Sequence, residues 1–199
     1  DMRDPSGGGG QSDSLLTEVK DQASCGSCWS FAAYGVLEGH LKRKEGIDYD
    51  YAEDHLIRNS KWGFDPCGGG SINLSIGYFS RMGGPILENE QPYQDNSLGI
   101  SCMNCSPTRY LDNIYILPLR SGSSDNQFIK NTLLTFGPMY LSMEWWYGAH
   151  DAATNTYYST PEDSYGGGHA VVLVGWDDTK AVPGAPGRGA FLIRNSWGY

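Results

Sequence analysis

The first half of the chain carries apolar residues at the three- and four-residue steps of amphipathic helices. The longest such segment, 28–46, repeats its apolar side chains at this period: Trp29, Ala32, Ala33, Val36, Leu37 and Leu41. Gly46 is suited to end this helix, because glycine readily adopts the left-handed conformation found at helix termini. Shorter helices are predicted over 52–60 and 71–81, and the Gly-Gly-Pro sequence at 83–85 ends the second of them.

The second half changes to runs of β-branched and aromatic residues, which are typical of strands. Four runs have this character: NIYILPL at 113–119, PMYLSME at 138–144, HAVVLVGW at 169–176 and AFLIRN at 190–195. One helix is predicted among them over 125–136, with Asp125 as its cap. Helices early in the chain and strands late in it predict an α+β protein with two lobes.

Composition narrows the classes of partner. The chain has 14 Lys and Arg against 23 Asp and Glu, a net charge of −9, and no dense basic run. Because phosphate binding needs clustered Lys and Arg, nucleic acid is excluded as the main partner. No apolar run approaches the roughly 18 residues of a membrane span. The polar start, DMRD, is unlike a signal peptide, so any export signal lies outside this sequence.

The chain has five cysteines, and an odd number leaves one thiol unpaired. QASCGSCW at 22–29 admits three interpretations: a redox pair, half of a zinc site completed by Cys102 and Cys105, or a nucleophile beside a half-cystine. The pattern lacks the thioredoxin-like βαβ context of a redox pair, and a strong histidine candidate lies elsewhere. Cys28 at the start of the long helix suits a nucleophile, because the helix dipole and free N–H groups stabilise a thiolate.

One of the four histidines stands out as a partner for that thiol. His169 follows three glycines and opens a strand, where small neighbours leave the imidazole room to face a cleft. Asn195, at the end of the last predicted strand, is suited to orient it through the side-chain carbonyl, and Trp197 is suited to shield that hydrogen bond. The other three are interpreted as structural or solvated: His40, His55 and His150.

Four stretches, QASCGSCWSF, CGGG, GGGHAVVLVGW and LIRNSWGY, together resemble the papain family of cysteine peptidases, in order along nearly the whole chain. Within the family the chain most resembles bacterial or archaeal secreted and surface members. The resemblance implies a helical lobe carrying the nucleophile helix (14–110), an antiparallel β-barrel-like lobe (111–199) and an active site in the cleft between them. Residues 1–13 are expected to cross to the second lobe.

The resemblance also assigns roles. It implies that Cys28 is the nucleophile, His169 the general base and acid, and Asn195 the residue orienting His169. Gln22 and the Cys28 N–H would form the oxyanion hole, and Cys25 and Cys67 would form a disulfide. The residues expected to contact substrate are Gly69, Gly70, Ser71, Ile72, Gly168 and Trp197. Trp145, Trp146 and Tyr147 are interpreted either as an aromatic rim or as core.

Several features depart from the family pattern. Cys102 and Cys105 are left to pair with each other, which their spacing allows and which we favour; the alternative is a reduced pair. SGGGG at 6–10 is an insertion, and the Pro/Gly-rich stretch 177–189 is interpreted either as a gating or partner loop or as a hairpin extension. Family members continue past the NSWG motif, so the strands that complete the second lobe are expected to lie outside this sequence or to come from a partner segment.

The function implied is a cysteine endopeptidase that hydrolyses peptide bonds through a thioester, without metal or organic cofactor. Two alternatives stay open: a catalytically silent binding module, and a peptide ligase using the same thioester. The expected partners are a protein or peptide substrate and a pro-segment that keeps a zymogen inactive. The predicted disulfides favour a secreted or cell-surface location.

Overall fold

The computed structural model describes residues 16–60, 65–96, 99, 101, 102, 104–122, 125–160, 162, 163 and 166–198. The SGGGG insertion and segment 1–13 lie outside these residues. The four predicted helices are confirmed: α1 (Cys28–Glu45), α2 (Glu53–Ser60), α3 (Ile72–Ser80) and α4 (Asn126–Phe136). A 3₁₀ turn at Tyr147–Ala149 accompanies five strands: β1 (Met139–Glu144), β2 (His150–Asp151), β3 (Thr156–Tyr157), β4 (Gly168–Ala181) and β5 (Arg188–Arg194).

The prediction of a strand at 113–119 is wrong. This segment forms no ladder with any other described residue, and its Ile116 and Leu119 side chains are 78% and 97% exposed. A strand-like sequence becomes a strand only when a neighbour accepts its backbone hydrogen bonds. The Asp125 side chain also does not cap α4: its carboxylate accepts hydrogen bonds from the Ser121 backbone and hydroxyl instead.

Three of the strands form an antiparallel sheet in the order β1-β4-β5, with β4 in the centre. Met143 of β1 lies opposite His169 at the start of β4. The pairing of β4 with β5 continues out to Ala181 and Arg188. The stretch 177–189 therefore extends the β4–β5 hairpin, as one of its two interpretations expected.

The two faces of β4 bury different parts of the protein. Ala170, Val172 and Val174 join the core made with α1, α2 and α3, whereas Leu173 packs with Leu133 of α4 in a second cluster. Helix α1 is consequently buried around most of its circumference rather than along one stripe, because β4 covers one side and the shorter helices another. At its end, Gly46 has φ 71° and donates to the Lys42 carbonyl at 2.8 Å, as predicted.

Both expected disulfides are present, Cys25–Cys67 and Cys102–Cys105, and Cys28 is left as a free thiol. A zinc site built from the two CxxC pairs is incompatible with this pairing, because zinc binds thiolates and four of these sulfurs are oxidised. None of the described helices combines the length and apolar character needed to cross a membrane.

Candidate active site

Cys28 is the first residue of α1, at the point where the helix presents unpaired backbone N–H groups. Burial raises the pKa of the Cys28 thiol, while hydrogen bonds from the backbone N–H groups of Ala170, Trp29 and Cys28 itself act in the opposite direction. The Ala170 contact places the sulfur beside β4, directly after His169 in the sequence. The helix start and the strand start therefore meet at this thiol.

His169 and Asn195 come together as the sequence analysis expects. The His169 Nε2 atom lies 2.8 Å from the Asn195 side-chain oxygen, which also accepts a hydrogen bond from the Ser196 backbone N–H at 2.9 Å. Since that oxygen only accepts, Nε2 carries a proton, and Nδ1 is left to exchange a proton elsewhere. Burial lowers the pKa of His169, and the bond to Asn195 partly offsets this.

Two tryptophans enclose the imidazole. Trp197 stacks on His169 with ring centroids 4.9 Å apart and an interplanar angle of 27°. Trp145 meets both rings edge-on, at 5.6 Å from His169 and 4.9 Å from Trp197. Trp197 therefore covers one face of the imidazole, and its role as a shield of the His169–Asn195 hydrogen bond stays a prediction.

Gln22 is held by both ends of its side chain. Its Nε2 donates to the Cys25 carbonyl at 2.9 Å, and its Oε1 accepts from the Ser196 hydroxyl at 2.7 Å. The Gln22 backbone N–H also donates to the Ser196 carbonyl at 2.8 Å. An amide nitrogen has two hydrogens, so one N–H remains to donate to a developing oxyanion.

A buried charged cluster fixes the segment that carries Gln22. The Lys20 ammonium lies 2.8 Å from Glu53 and 3.1 Å from Glu38, and it donates to the Tyr51 carbonyl at 3.1 Å. Burial alone would lower the pKa of Lys20, but the carboxylates of Glu53 and Glu38 raise it well above its ordinary value. Burial acts to raise the pKa of Glu53, and the Lys20 ammonium acts in the opposite direction. Lys20 thus stays protonated and anchored near neutral pH.

The glycine segment at 67–70 lies against the start of α1. A Cβ atom at Gly70 would sit 2.3 Å from the Trp29 indole nitrogen, so only glycine fits there. Gly69 has φ 77° and open space beside it, and the exposed, extended Ser71 leads into Ile72 at the start of α3. Added Cβ atoms at Gly167 and Gly168 would also meet nothing within 4 Å. The cleft is therefore open beside 69 and beside 167–168.

Sequence reasoning missed the residues that support this site. Ser196 holds Gln22 and lies between Asn195 and Trp197, the two residues of the RNSWG motif to which the sequence analysis assigns a role. The Tyr93 hydroxyl donates to the Gln22 carbonyl at 2.9 Å and lies 2.6 Å from the Ser27 hydroxyl. The two interpretations of the aromatic residues both apply, because Trp145 is 7% exposed and Tyr147 is 76% exposed.

Comparisons with known proteins identify the family to which this fold and sequence belong. The sequence model of the papain family cysteine proteases matches residues 6–199. A cathepsin L-like peptidase of Aedes aegypti is 32% identical over 190 residues, which cover 92% of this chain and 52% of the relative. Cathepsin S of Mus musculus is 30% identical over 190 residues, with the same coverage of 92% and 52%. The chain thus spans about half the length of the curated relatives it matches.

Solved structures place the fold in the same group. The cysteine protease and lectin-like domains of Cwp84, a surface layer associated protein of Clostridium difficile, match with a TM-score of 0.80 at 27% identity, over 92% of this chain and 43% of that one. A digestive procathepsin L 3 of Tenebrio molitor matches with a TM-score of 0.68 at 26% identity, over 92% and 57%. The papain-like α+β fold and the resemblance to bacterial surface members are confirmed. The chain belongs to the papain family of cysteine proteases.

Proposed function

We propose that this chain is a cysteine endopeptidase in which Cys28 attacks the peptide bond and His169 moves the protons. The observation that supports this most is that the free thiol at the start of α1 contacts the backbone N–H of Ala170, directly after His169, whose Nε2 lies 2.8 Å from the Asn195 side-chain oxygen. A nucleophile, a base and a group orienting the base are the three elements of covalent acyl transfer. Family membership and the cathepsin relatives support the same reaction class.

The first half of the reaction forms a thioester. The Cys28 sulfur adds to the peptide carbonyl carbon, and the carbonyl oxygen takes up negative charge, which the free Gln22 N–H and the Cys28 backbone N–H stabilise. The carbon–nitrogen bond then breaks, and His169 gives its proton to the leaving amine. The acyl group is left on sulfur, and His169 is left neutral.

The second half releases the acid product. His169 takes a proton from water, and the resulting hydroxide oxygen adds to the thioester carbonyl. The carbon–sulfur bond breaks, so that the product leaves as a carboxylic acid and Cys28 leaves as a thiolate. Proton, nucleophile and leaving group all balance between Cys28, His169 and one water molecule.

We further propose that the resting site holds a Cys28 thiolate and a His169 imidazolium. Burial disfavours each charge taken alone, since it raises the pKa of Cys28 and lowers the pKa of His169. Formed together, the two opposite charges attract each other, and a partly buried site screens that attraction less than bulk water does. That attraction, with the three N–H groups on the sulfur and the Asn195 oxygen on the imidazole, is what makes the pair favourable.

The rate of Cys28 alkylation against pH tests this proposal. We expect labelling by iodoacetamide that is already fast at pH 5.5 and changes little up to pH 8. An ordinary thiol, with a pKa near 8.5, is roughly one part in a thousand thiolate at pH 5.5. In His169→Ala the imidazolium is gone and burial still raises the pKa of Cys28, so labelling should rise only in the alkaline range. Peptide mass spectrometry identifies the modified sulfur.

His40→Ala is the matched control, because His40 is exposed on α1 and its Nδ1 contacts the Phe136 carbonyl, away from the site. It should leave the alkylation profile unchanged. If wild type itself labels only above about pH 8, the ion pair is absent at rest. If the wild-type protein also releases no product from peptide substrates, the peptidase proposal is wrong.

The acyl side of the cleft is proposed to accept large side chains, because the wall beside Gly167 and Gly168 is open. Gly168→Val should fold normally, since the position is exposed in a strand and β-branched residues suit strands. The new methyl groups should lower kcat/KM for peptides with Phe or Leu before the scissile bond by about 10- to 100-fold, and for Ala or Gly peptides much less.

A positional peptide library measures this change. Gly187→Val offers the control, because Gly187 lies in the β4–β5 turn with open space around its Cβ position. It should keep the wild-type selectivity. An equal loss for small and large side chains in Gly168→Val would show that this wall does not set the size of the pocket.

The compartment and maturation follow as proposals. The disulfides support work outside a reducing cytosol, and Cwp84 is itself surface layer associated. Protein alkylated under denaturing conditions without reductant should carry one label, and five labels would contradict an oxidising compartment.

The clostridial Cwp84 structure was determined after propeptide cleavage, and we propose that this chain too is produced with an inhibitory pro-segment. A native precursor that is active without cleavage would contradict the pro-segment.

A further inference from the structure

Three aromatic residues form a continuous surface beside the imidazole of His169. We name Trp145, Tyr147 and Trp197 the aromatic step. Trp197 stacks on His169 at 4.9 Å, and Tyr147 stacks on Trp197 at 6.3 Å with an interplanar angle of 19°. Trp145 is 7% exposed and supports the step from below, whereas Trp197 is 39% and Tyr147 76% exposed. The step therefore presents two nearly parallel ring systems to solvent, one of them directly over the catalytic base.

The buried part of the step is held in place by the surrounding backbone. Tyr157 stacks on Trp145 at 4.6 Å, and its hydroxyl donates to the Glu144 carbonyl at 3.1 Å and accepts from the Trp146 N–H at 3.2 Å. The Trp145 N–H donates to the Gly167 carbonyl at 2.8 Å. A surface fixed in this way loses little conformational freedom when a ligand covers it.

The polypeptide also makes room for the step. A Cβ atom at Gly166 would lie 1.8 Å from the Trp145 carbonyl oxygen, so the glycine before the His169 strand is what lets the Trp145 turn approach. Tyr147 itself opens the short 3₁₀ turn at 147–149 and belongs to neither hydrophobic core cluster. Burial among the rings of Tyr157, His169 and Trp197 accounts for Trp145, which is 7% exposed. It does not account for the Tyr147 ring, which is 76% exposed.

The chemistry of the proposed reaction says which part of a substrate meets this surface. His169 must reach the nitrogen of the leaving amine to protonate it, so the residues after the scissile bond start beside the imidazole. Trp197 covers that imidazole, and Tyr147 lies one ring further out. Two ring spacings from His169 correspond to about three residues of an extended peptide.

We infer that Tyr147 is a specificity-determining residue, which with Trp197 selects an aromatic or large apolar side chain among the first three residues after the scissile bond. This inference rests on the proposed peptidase function. Stacked and edge-on aromatic pairs are favourable beyond the burial of apolar area alone. An aromatic substrate side chain on the aromatic step would therefore gain free energy both from burial and from ring contact. Tyrosine presents its ring at the cost of few rotatable bonds.

The test uses pairs of internally quenched peptides that share the acyl side and differ only by Phe or Ala at the first, second or third position after the cleaved bond. Wild type should prefer Phe by about five- to tenfold in kcat/KM at one of these positions. Tyr147→Ala should reduce that ratio to about one, and Tyr147→Phe should keep it, because the ring rather than the hydroxyl makes the contact. The ratio is internal to each variant, so a change in overall activity does not alter it.

Tyr115→Ala is the matched control, since Tyr115 is 72% exposed but pairs with Phe136, and not with any residue of the step. It should keep the wild-type ratio. A short substrate with a small chromophoric leaving group, which lacks the residues after the bond, separates the two levels of inference. If wild type hydrolyses neither it nor the peptides, the proposed function fails. If wild type hydrolyses the peptides without a Phe preference, or Tyr147→Ala keeps the preference, only the role of Tyr147 is overturned.

Discussion

Replacing Cys28 with alanine should lower peptide hydrolysis by about 10⁴-fold or more in kcat/KM. The thioester needs a sulfur at the start of α1, and the other four cysteines are held in disulfides, so no second thiol can take over. Helix α1 should form as before, because the substitution removes only the sulfur atom of the first residue of the helix. Initial rates on a quenched peptide, with circular dichroism as the check on folding, measure the effect.

The control removes sulfur elsewhere. The double variant Cys102→Ala/Cys105→Ala deletes a disulfide that lies outside the candidate site and closes a loop of three residues only. It should retain most of the activity, even if its melting temperature falls. Hydrolysis that survives in Cys28→Ala would assign the reaction to another nucleophile. Inactive wild type with intact thiol labelling would instead favour the silent binding module.

Replacing Gln22 with alanine should lower kcat by about 10²- to 10³-fold, with a much smaller change in KM. In the proposed role, the free N–H of this amide donates to charge that exists only in the transition state, so ground-state binding should be little affected. Ser196→Ala should have a weaker effect in the same direction, because the amide would lose the hydroxyl that fixes its Oε1 at 2.7 Å. Steady-state kinetics on one peptide separate kcat from KM for each variant.

A double-mutant cycle gives this prediction its control. In the Gln22→Ala background, Ser196→Ala should lower kcat hardly any further, because the amide that the Ser196 hydroxyl bonds to is already absent. Gln127→Ala is the control with the same change of side chain. Gln127 lies on α4, and its amide bonds only to Asn131 among the described contacts, so this variant should keep the wild-type kcat and KM. A Gln22→Ala enzyme that loses affinity rather than kcat would place this amide in substrate binding instead of the oxyanion hole.

Local patterns were sufficient for most elements of the fold. The apolar period of α1 and the glycine at 46 located this helix almost to the residue, and the β-branched run after His169 located β4. The run at 113–119 has the same local character and failed, because a strand depends on a neighbour that the local sequence does not specify. The length of the β4–β5 hairpin also depends on how far the two strands pair, which the composition of residues 177–189 does not specify.

The candidate site divides in the same way. Cys28, His169, Asn195 and Gln22 were found because each lies in a short motif with a chemical purpose. Ser196 was overlooked as a support for Gln22, since the two residues lie 174 positions apart and no spacing rule connects them. Trp145 and Tyr147 are two residues apart and equally aromatic, and only the turn at 147 decides that one is buried and the other exposed.

The contact between Gln22 and Ser196 also has a consequence for folding during synthesis. It joins two residues that lie 174 positions apart, so a nascent chain that has emerged only as far as β4 cannot form it. Contacts this distant in sequence form late and slowly compared with local ones. The Gln22 side chain is therefore expected to lack this support until β5 and Ser196 have been translated and have folded onto the rest of the protein.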